Sequence, residues 1–196
     1  MIETNTILAA LMGYAFGSIP FGLILTRLAG MGDVRSIGSG NIGATNVLRT
    51  GNKWLAAATL LLDGLKGFLP VYLAWQFFWD DLGWVALFAI LGHCFPVWLK
   101  FKGGKGVATN AGVCFGLAWP IGLTYAAVWI LMLVIFRVSS LAGMTAVVAA
   151  AGASLYFGPT VAPMTLAIIA ALIIWLHREN IGRLIKGTEP KVGSKS

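Results

Sequence analysis

Residues 54–79 read WLAAATLLLDGLKGFLPVYLAWQFFW, and this stretch decides the fold class of the chain. It carries only two charged side chains, Asp63 and Lys66. Because about 20 consecutive apolar residues in a helix cross a bilayer core, the stretch predicts a membrane-spanning helix. The two charges are three residues apart and share one helical face. We expect them to form a structural ion pair rather than a catalytic pair, because an unpaired charge inside a span is costly.

The composition of the whole chain extends this interpretation to the entire protein. The 196 residues are 58% hydrophobic and 11% charged, and their mean hydropathy is +0.84. Soluble domains carry about 25% charged residues, so these values indicate a single transmembrane domain over residues 1–196. The formal charge of +7 does not predict nucleic-acid binding, because the sequence contains no soluble basic face or base-stacking module.

Apolar stretches separated by short polar breaks predict an all-α bundle of about seven transmembrane helices. The predicted spans are residues 7–28, 54–79, 82–99, 106–119, 121–136, 140–157 and 160–176. Residues 106–136 are long for one crossing and short for two, with Pro120 near the middle. Two crossings there collect nearly all the basic residues on one side. The positive-inside rule then puts the N-terminus outside and the C-terminus in the cytoplasm.

The first polar break, SIGSGNIGATNVLR at residues 36–49, is the main candidate for function. It has too little apolar surface to pack as a core element and too many polar groups to face lipid. Its arginine offers a planar fork for a phosphate or carboxylate. The candidate substrate-binding residues are Ser39, Asn41, Thr45, Asn46 and Arg49. Ser36 is an alternative to Ser39. A solvated loop whose polar side chains only cap short helices is the competing interpretation.

A second polar segment, FKGGKG at residues 101–106, lies on the same predicted side of the membrane. Gly103 and Gly104 allow the backbone to curl so that N–H groups point inward, and Lys105 adds a cation. The segment therefore predicts a phosphate site. It is not a Walker nucleotide loop, because Gly106 follows the lysine where Ser or Thr is required. A flexible basic turn that only sets topology is the alternative.

The third cytoplasmic segment, HRENIGRLIKGTE at residues 177–189, follows the last predicted span. His177 and Asn180 are at i and i+3 on one helical face. A histidine beside an asparagine at a membrane surface can orient a substrate hydroxyl or relay a proton. The alternative is a tail helix whose basic residues bind anionic lipid headgroups.

The chain resembles the bacterial acyl-phosphate-dependent glycerol-3-phosphate acyltransferases in three motifs, which keep their order and spacing. They are SGNIGATNVLR at 39–49, GHCFPVWLKFKGGKGVAT at 92–109 and HRENIGRL at 177–184. The resemblance implies a seven-span inner-membrane enzyme that moves a fatty acyl group from acyl phosphate to the 1-hydroxyl of glycerol 3-phosphate. Lysophosphatidic acid and phosphate would result, as the first step of phospholipid synthesis. It also implies a peripheral acyl-phosphate synthase as partner and no cofactor.

The resemblance assigns roles by position. Lys105, His177 and Asn180 become the expected catalytic residues, and Ser39 and Arg49 are expected to hold a substrate phosphate. Gly103 and Gly104 would shape a second phosphate cradle around Lys105. The proton acceptor stays open between His177 and a substrate phosphate oxygen.

One position departs from the pattern expected of the family. The fifth loop is expected to read Ser-Leu-Ala-Ser, but here Gly143 replaces the last serine. A substrate contact from that serine is therefore either missing or supplied by Ser139 or Ser140, and we retain Ser140 as a candidate substrate-binding residue.

Other functions are weaker matches to the sequence. An organic-phosphate transporter is the main alternative, but the chain shows no internal repeat and no polar run on the outer face. A purely structural lipid-binding scaffold is a third interpretation. The H-x-x-x-x-D pair of acyl-CoA-dependent enzymes is absent, since Trp98 and Gly182 stand five residues after His93 and His177. These histidines also lack partner ligands at any recognised metal spacing, so no metal is implied.

Overall fold

The structure, a computed structural model, describes residues 3–193. All its regular elements in this range are helical. The α-helices are α1 (Thr4–Gly17), α2 (Phe21–Leu28), α3 (Ala44–Leu48), α4 (Lys53–Phe77), α5 (Leu82–Cys94), α6 (Val107–Leu117), α7 (Trp119–Phe136), α8 (Ser139–Ala153), α9 (Ala162–Leu176) and α10 (Arg178–Ile185). Short 3-10 turns lie at Val34–Ser36, Trp79–Asp81 and Val97–Leu99.

Apolar helices occupy all seven predicted stretches, with ends shifted by a few residues. Within residues 3–193, four segments are long and apolar enough to cross a membrane: Thr4–Leu28, Lys53–Phe77, Trp79–Leu99 and Trp119–Phe136. The pair α9 and α10, bent by 59°, makes a fifth if it is counted as one span. The α6 and α8 helices are apolar but shorter. An all-helical, multi-span membrane protein is confirmed, whereas seven crossings and the orientation of the termini stay predictions.

Glycines bring two pairs of helices into backbone contact. A Cβ on Gly17 of α1 would lie 2.0 Å from the carbonyl oxygen of Ala89 in α5. A Cβ on Gly112 of α6 would lie 1.8 Å from the carbonyl oxygen of Gly64 in α4. In a bilayer, helices associate through such close van der Waals packing, because lipid offers no hydrophobic driving force between them. These contacts fix α1 on α5 and α4 on α6.

The first predicted span, residues 7–28, is broken between α1 and α2. Pro20 has no N–H and cannot continue the helix, so carbonyls near the break need other donors. Trp98 Nε1 donates to Ser18 O at 2.9 Å, and Lys66 Nζ donates to Ile19 O at 2.6 Å. The predicted span over residues 7–28 is matched by the candidate span Thr4–Leu28, which contains this break, and the two donors come from distant elements.

The ion pair expected inside α4 is confirmed. Lys66 Nζ lies 2.6 Å from Asp63 Oδ1, and both side chains are only 2% exposed. A pair at this depth is costly to desolvate, and its attraction repays that cost only where further hydrogen bonds support it. The bond from Lys66 to Ile19 O supplies one of them.

Candidate active site

Asn46 organises the first polar loop from within. Its side chain is buried, and Nδ2 donates to Val34 O and Asn41 O, both at 2.8 Å, and reaches Ile37 O at 3.1 Å. Its Oδ1 accepts from the Ser39 backbone N–H at 3.0 Å. An amide has two N–H donors and one oxygen, so the loop uses its full capacity. The structure thus gives Asn46 a structural task, and its predicted contact with substrate stays a prediction.

The loop brings Ser39 and Arg49 together, as the resemblance implies. Ser39 Oγ and Arg49 Nη1 both donate to Asn46 Oδ1, at 3.3 and 3.1 Å. Gly38 passes between them with φ +55°, and a Cβ there would lie 2.4 Å from the same oxygen. Ser39 and Arg49 are exposed. Most of the guanidinium donors of Arg49 are therefore left for an incoming anion.

Charge distinguishes Arg49 from the neighbouring arginines. Arg35 and Arg27 share the Asp33 carboxylate, with Nη2 to Oδ2 distances of 2.6 and 3.1 Å. The Arg35 guanidinium holds the pKa of Asp33 well below its usual range. No carboxylate of the described residues pairs with Arg49, whose partner is an amide oxygen. Arg49 is thus the basic side chain of this loop that is best placed to bind a phosphate.

The other predicted residues of the loop differ in surroundings. Asn41 Oδ1 accepts from the Gly43 backbone N–H at 2.9 Å, which closes a tight turn before α3. Thr45 is exposed in the first turn of α3. Ser36, the alternative to Ser39, donates its hydroxyl to Asp33 O at 2.7 Å and so belongs to the preceding 3-10 turn. This favours Ser39 as the phosphate ligand.

The 101–106 turn folds back onto the end of α5. The Gly103 N–H donates to Cys94 O at 3.1 Å and the Gly104 N–H donates to His93 O at 3.0 Å. The expectation that these N–H groups face an anion is wrong, because they satisfy carbonyls that the C-terminus of α5 leaves unpaired. Gly103 and Gly104 shape the turn, and any substrate contact they make would be through close backbone approach. The cationic group of this turn is Lys105.

Lys105 joins the second polar segment to the third. Its Nζ donates to Asn180 Oδ1 in α10. Burial, followed by the nearby Arg183 guanidinium, lowers the pKa of the Lys105 amine from its ordinary value. The Glu179 and Glu189 carboxylates act in the opposite direction but do not outweigh burial and Arg183. Because the direct partner of Lys105 is the neutral amide of Asn180, its charge is available to an anion.

Glu189 belongs to the same polar cluster, and sequence reasoning did not single it out. Its Oε1 accepts from Asn180 Nδ2 at 2.6 Å and from Ser140 Oγ at 2.7 Å, and its Oε2 accepts from Arg183 Nε at 2.7 Å. Burial opposes ionisation, but these three donors outweigh it and lower the pKa of Glu189. Its signal in the sequence is that it is an acidic residue within a strongly basic tail.

Ser140 and the departure at position 143 have different surroundings in the structure. Ser140 is buried, and its hydroxyl is taken by the carboxylate. A Cβ on Gly143 would lie 2.9 Å from Val107 Cγ2, so a serine there requires Val107 to shift. A substrate contact by Ser140 stays a prediction, and it would require the hydroxyl to leave Glu189.

His177 lies where α9 ends and α10 begins. It is buried, and its Nδ1 is 2.7 Å from Ile173 O. A carbonyl accepts only, so Nδ1 carries the proton and Nε2 of the neutral ring is an acceptor. Burial outweighs the bond to Ile173 and lowers the pKa of His177. The ring is therefore neutral near pH 7 and can accept a proton at Nε2.

The structure joins two of the three polar segments directly, because Lys105 meets Asn180. The first loop instead lines a cavity of about 230 Å³ between α4 and α7. Leu60, Trp129 and Leu133 form part of its apolar wall. Thr45 of the first loop and Ser139 at the start of α8 lie on the same lining. Among the described residues, no hydrogen bond joins Arg49 to Lys105, so the two cations occupy separate positions, one held by Asn46 and the other by Asn180.

Known proteins match this chain over nearly its whole length. The family profile described as glycerol-3-phosphate acyltransferase matches residues 7–187. A glycerol-3-phosphate acyltransferase of Erythrobacter litoralis (strain HTCC2594) is 73% identical over 96% of this chain and 95% of that protein. A protein of the same name from Mesorhizobium japonicum is 58% identical over 96% of this chain and 97% of that protein.

Solved structures match the fold as well. A crystal structure of PlsY, an integral membrane glycerol 3-phosphate acyltransferase, in its glycerol 3-phosphate form aligns with a TM-score of 0.90 at 40% identity, covering 96% of both chains. The lysophosphatidic acid form gives a TM-score of 0.87 at 38% identity, covering 96% of this chain and 95% of that one. The similarity therefore holds in sequence and in helix arrangement alike.

Proposed function

This chain belongs to the glycerol-3-phosphate acyltransferase family, and we propose that it takes its acyl group from acyl phosphate and transfers it to the 1-hydroxyl of glycerol 3-phosphate. The hydroxyl oxygen bonds to the acyl carbon, the bond from that carbon to the phosphate oxygen breaks, and the hydroxyl proton leaves. Lysophosphatidic acid and inorganic phosphate result. The observation that carries the proposal is the junction at which Asn180 holds Lys105 one helical turn from His177.

Acyl phosphate fits the groups present. It already carries a good leaving group, so the reaction needs no acyl-enzyme intermediate and no activated nucleophile on the protein. Positioning and charge stabilisation suffice. The His-x4-Asp pair of acyl-CoA-dependent enzymes is absent from the sequence, as Trp98 and Gly182 show.

Two cationic positions correspond to two phosphate groups. Lys105, held by Asn180, binds one, and Arg49 with Ser39 binds the other. In each pair a neutral amide fixes the cation, so the cation's charge is left for substrate oxygen atoms. Such fixed donors stabilise negative charge that develops as the carbonyl is attacked.

His177 accepts the proton of the attacking hydroxyl at Nε2. The bond from Nδ1 to Ile173 O fixes the tautomer, and the lowered pKa keeps the ring unprotonated at neutral pH. A base in this state can take a proton without first losing one. Nearby Lys105 then disfavours a lasting positive charge on the ring, which returns the proton to solvent or phosphate.

The acyl chain lies in the cavity between α4 and α7. Its wall is mostly apolar, while Thr45 and Ser139 mark a polar part of the lining. A fatty chain there keeps its methylene groups away from water, with the carbonyl at the polar segments. We propose that this region lies on the cytoplasmic face of the inner membrane and that a peripheral acyl-phosphate synthase delivers the donor there. The basic residues outside the predicted spans support this orientation.

Release of inorganic phosphate tests the reaction. Purified protein in lipid is given palmitoyl phosphate with and without glycerol 3-phosphate, and wild type is compared with Lys105→Ala. Lys102→Ala is the matched control, because Lys102 is an exposed lysine of the same turn. We expect release that needs the acceptor, falls about 100-fold or more in Lys105→Ala, and is near normal in the control.

Other outcomes separate the alternatives. Turnover with acyl-CoA and none with palmitoyl phosphate would show that acyl phosphate is not the acyl donor. Binding of glycerol 3-phosphate without turnover of either donor would favour the alternative function, an organic-phosphate transporter. Release unchanged in Lys105→Ala would move the phosphate position away from this turn.

A further inference from the structure

We propose that Asp63, Lys66 and His93 form a buried positioning network that holds the 101–106 turn in register with the first polar loop, and so sets the affinity for a phosphate substrate. The proposal rests on the function proposed above, and it adds residues to which no role in the reaction has yet been given. None of the three contacts Lys105 or Arg49 through a described hydrogen bond. They act through the backbone that carries those two cations.

The contact between His93 and the turn is direct. His93 O accepts the Gly104 N–H at 3.0 Å. A Cβ on Gly104 would lie only 2.0 Å from His93 Nε2, so the imidazole ring is packed against this residue. His93 is 3% exposed. The His93 ring therefore packs directly against Gly104, the residue before Lys105.

His93 continues into the ion pair of α4. Its Nδ1 is 4.0 Å from Asp63 Oδ1, and Lys66 Nζ is 2.6 Å from the same oxygen. His93 Nδ1 has no hydrogen-bond partner among residues 3–193, and Asp63 Oδ1 is met by the Lys66 ammonium group. A buried polar atom without a partner is costly, so a closer approach of His93 Nδ1 to this carboxylate is favoured. The free-energy cost of burying His93 Nδ1 therefore favours a ring position close to the Asp63 and Lys66 charges of α4.

Lys66 extends the network to the other side of the site. It donates to Ile19 O in the break between α1 and α2. The α2 helix in turn packs on the first polar loop, because a Cβ on Gly22 would lie 2.0 Å from Ile42 O. The network therefore links the backbone that leads to Arg49 with the backbone that leads to Lys105.

A structural role alone does not account for these charges. Replacing a buried ion pair by apolar side chains of similar size is often neutral or stabilising. Buried charges at this depth cost free energy. The packing of α4 on α6 does not require them, because it rests on glycine contacts. What the charges add is fixed direction. Lys66 bonds the break that continues through α2 to the first polar loop, and the His93 ring packs against the turn that carries Lys105.

Steady-state kinetics with both substrates tests the network. The variants are His93→Leu, the conservative His93→Gln and the charge-free double variant Asp63→Leu with Lys66→Met. We expect His93→Leu and the double variant to raise the KM for at least one phosphate substrate about tenfold, while kcat falls less than about threefold. His93→Gln restores most of the affinity, because its amide keeps a polar group of similar size between Asp63 and Gly104.

The control is Val85→Ala, a fully buried residue of α5 that packs near Gly13 rather than the turn. It lowers thermal stability and leaves both KM values unchanged. Equilibrium binding of radiolabelled glycerol 3-phosphate is measured on every variant. The double variant decides the question if His93→Leu does not fold.

Unchanged KM values and unchanged binding in folded His93→Leu and in the double variant would overturn the proposal. So would a KM change equal to that of Val85→Ala. If wild type fails to turn over palmitoyl phosphate, the proposed donor fails instead. The network is then judged on glycerol 3-phosphate binding alone, with the same expected tenfold loss.

Discussion

The first polar loop and the cluster around Asn180 both hold a cation with an asparagine side chain, but the loop uses local partners and the cluster uses distant ones. In the loop, Asn46 satisfies Val34, Ser39, Asn41 and Arg49 from within a segment of sixteen positions, so each partner is local. In the cluster, Lys105 reaches Asn180 across 75 positions and Ser140 reaches Glu189 across 49. The loop is a preformed local structure, whereas the cluster exists only once α5, α8 and α10 have packed.

The largest effect should come from the assembled cluster. Asn180→Ala removes the amide that bridges Lys105 and Glu189, so the amine is free to collapse onto the carboxylate. We expect kcat/KM for phosphate release to fall about 1000-fold with the helical content unchanged. Arg178→Gln is the control on the same helix, because Arg178 is exposed and stacks on Trp175. A fall below tenfold would show that the cluster is not part of the reaction site.

The next effect tests whether the loop holds itself together. Asn46→Ala leaves three carbonyls and the donors of Ser39 and Arg49 without their partner. We expect a loss of about 3 kcal/mol in the local stability of the loop, read as faster proteolysis between residues 36 and 49. Asn41→Ala breaks a single bond and should be milder. Equal protease resistance in Asn46→Ala and wild type would mean that the loop depends on the rest of the bundle.

A smaller effect should appear at the turn. Gly104→Ala puts a Cβ 2.0 Å from His93 Nε2, so the turn must shift. We expect the KM for a phosphate substrate to rise about tenfold or slightly more, since displacement of bound groups by part of an ångström costs catalysis. Gly182→Ala is the matched control, because nothing lies within 4 Å of its added Cβ and alanine favours a helix. Normal kinetics in Gly104→Ala would place the turn outside the site.

The smallest effect should be the pH dependence of the wild-type rate near neutrality, which His177 sets. Because its pKa is lowered, the neutral form is present above the ordinary histidine value of about 6.5 and is lost only as pH falls below that range. The rate should be flat from about pH 8 to 6.5 and then decline. In His177→Gln the rate should be lower and this acid limb should vanish. A limb that persists in the variant would assign the proton to the substrate phosphate.

Local patterns explain what could be predicted from the sequence. Apolar length predicted the helical segments, and i, i+3 spacing predicted the pair of Asp63 and Lys66. The meeting of the second and third polar segments also followed from their shared side of the membrane. All of these depend on residues close in the chain or on one property of whole segments.

What was missed depends on partners far apart in the chain. The break at Pro20 is stable because Lys66 and Trp98 bond its carbonyls, and neither is near in sequence. The N–H groups of Gly103 and Gly104 turn to α5 because that helix ends with unpaired carbonyls. Glu189 becomes part of the site only when the tail returns to Ser140. The spacing of residues along the chain does not show which distant segments come into contact.

The glycine contacts between α1 and α5, and between α4 and α6, have a consequence for lipid traffic. With backbones touching at Gly17 and Gly112, those two seams leave no width for a hydrocarbon chain to slip through. The seam between α4 and α7 is different, because a cavity beside Trp129 separates the two helices. We expect the newly made lipid to leave sideways along this seam into the surrounding leaflet, with its headgroup following last.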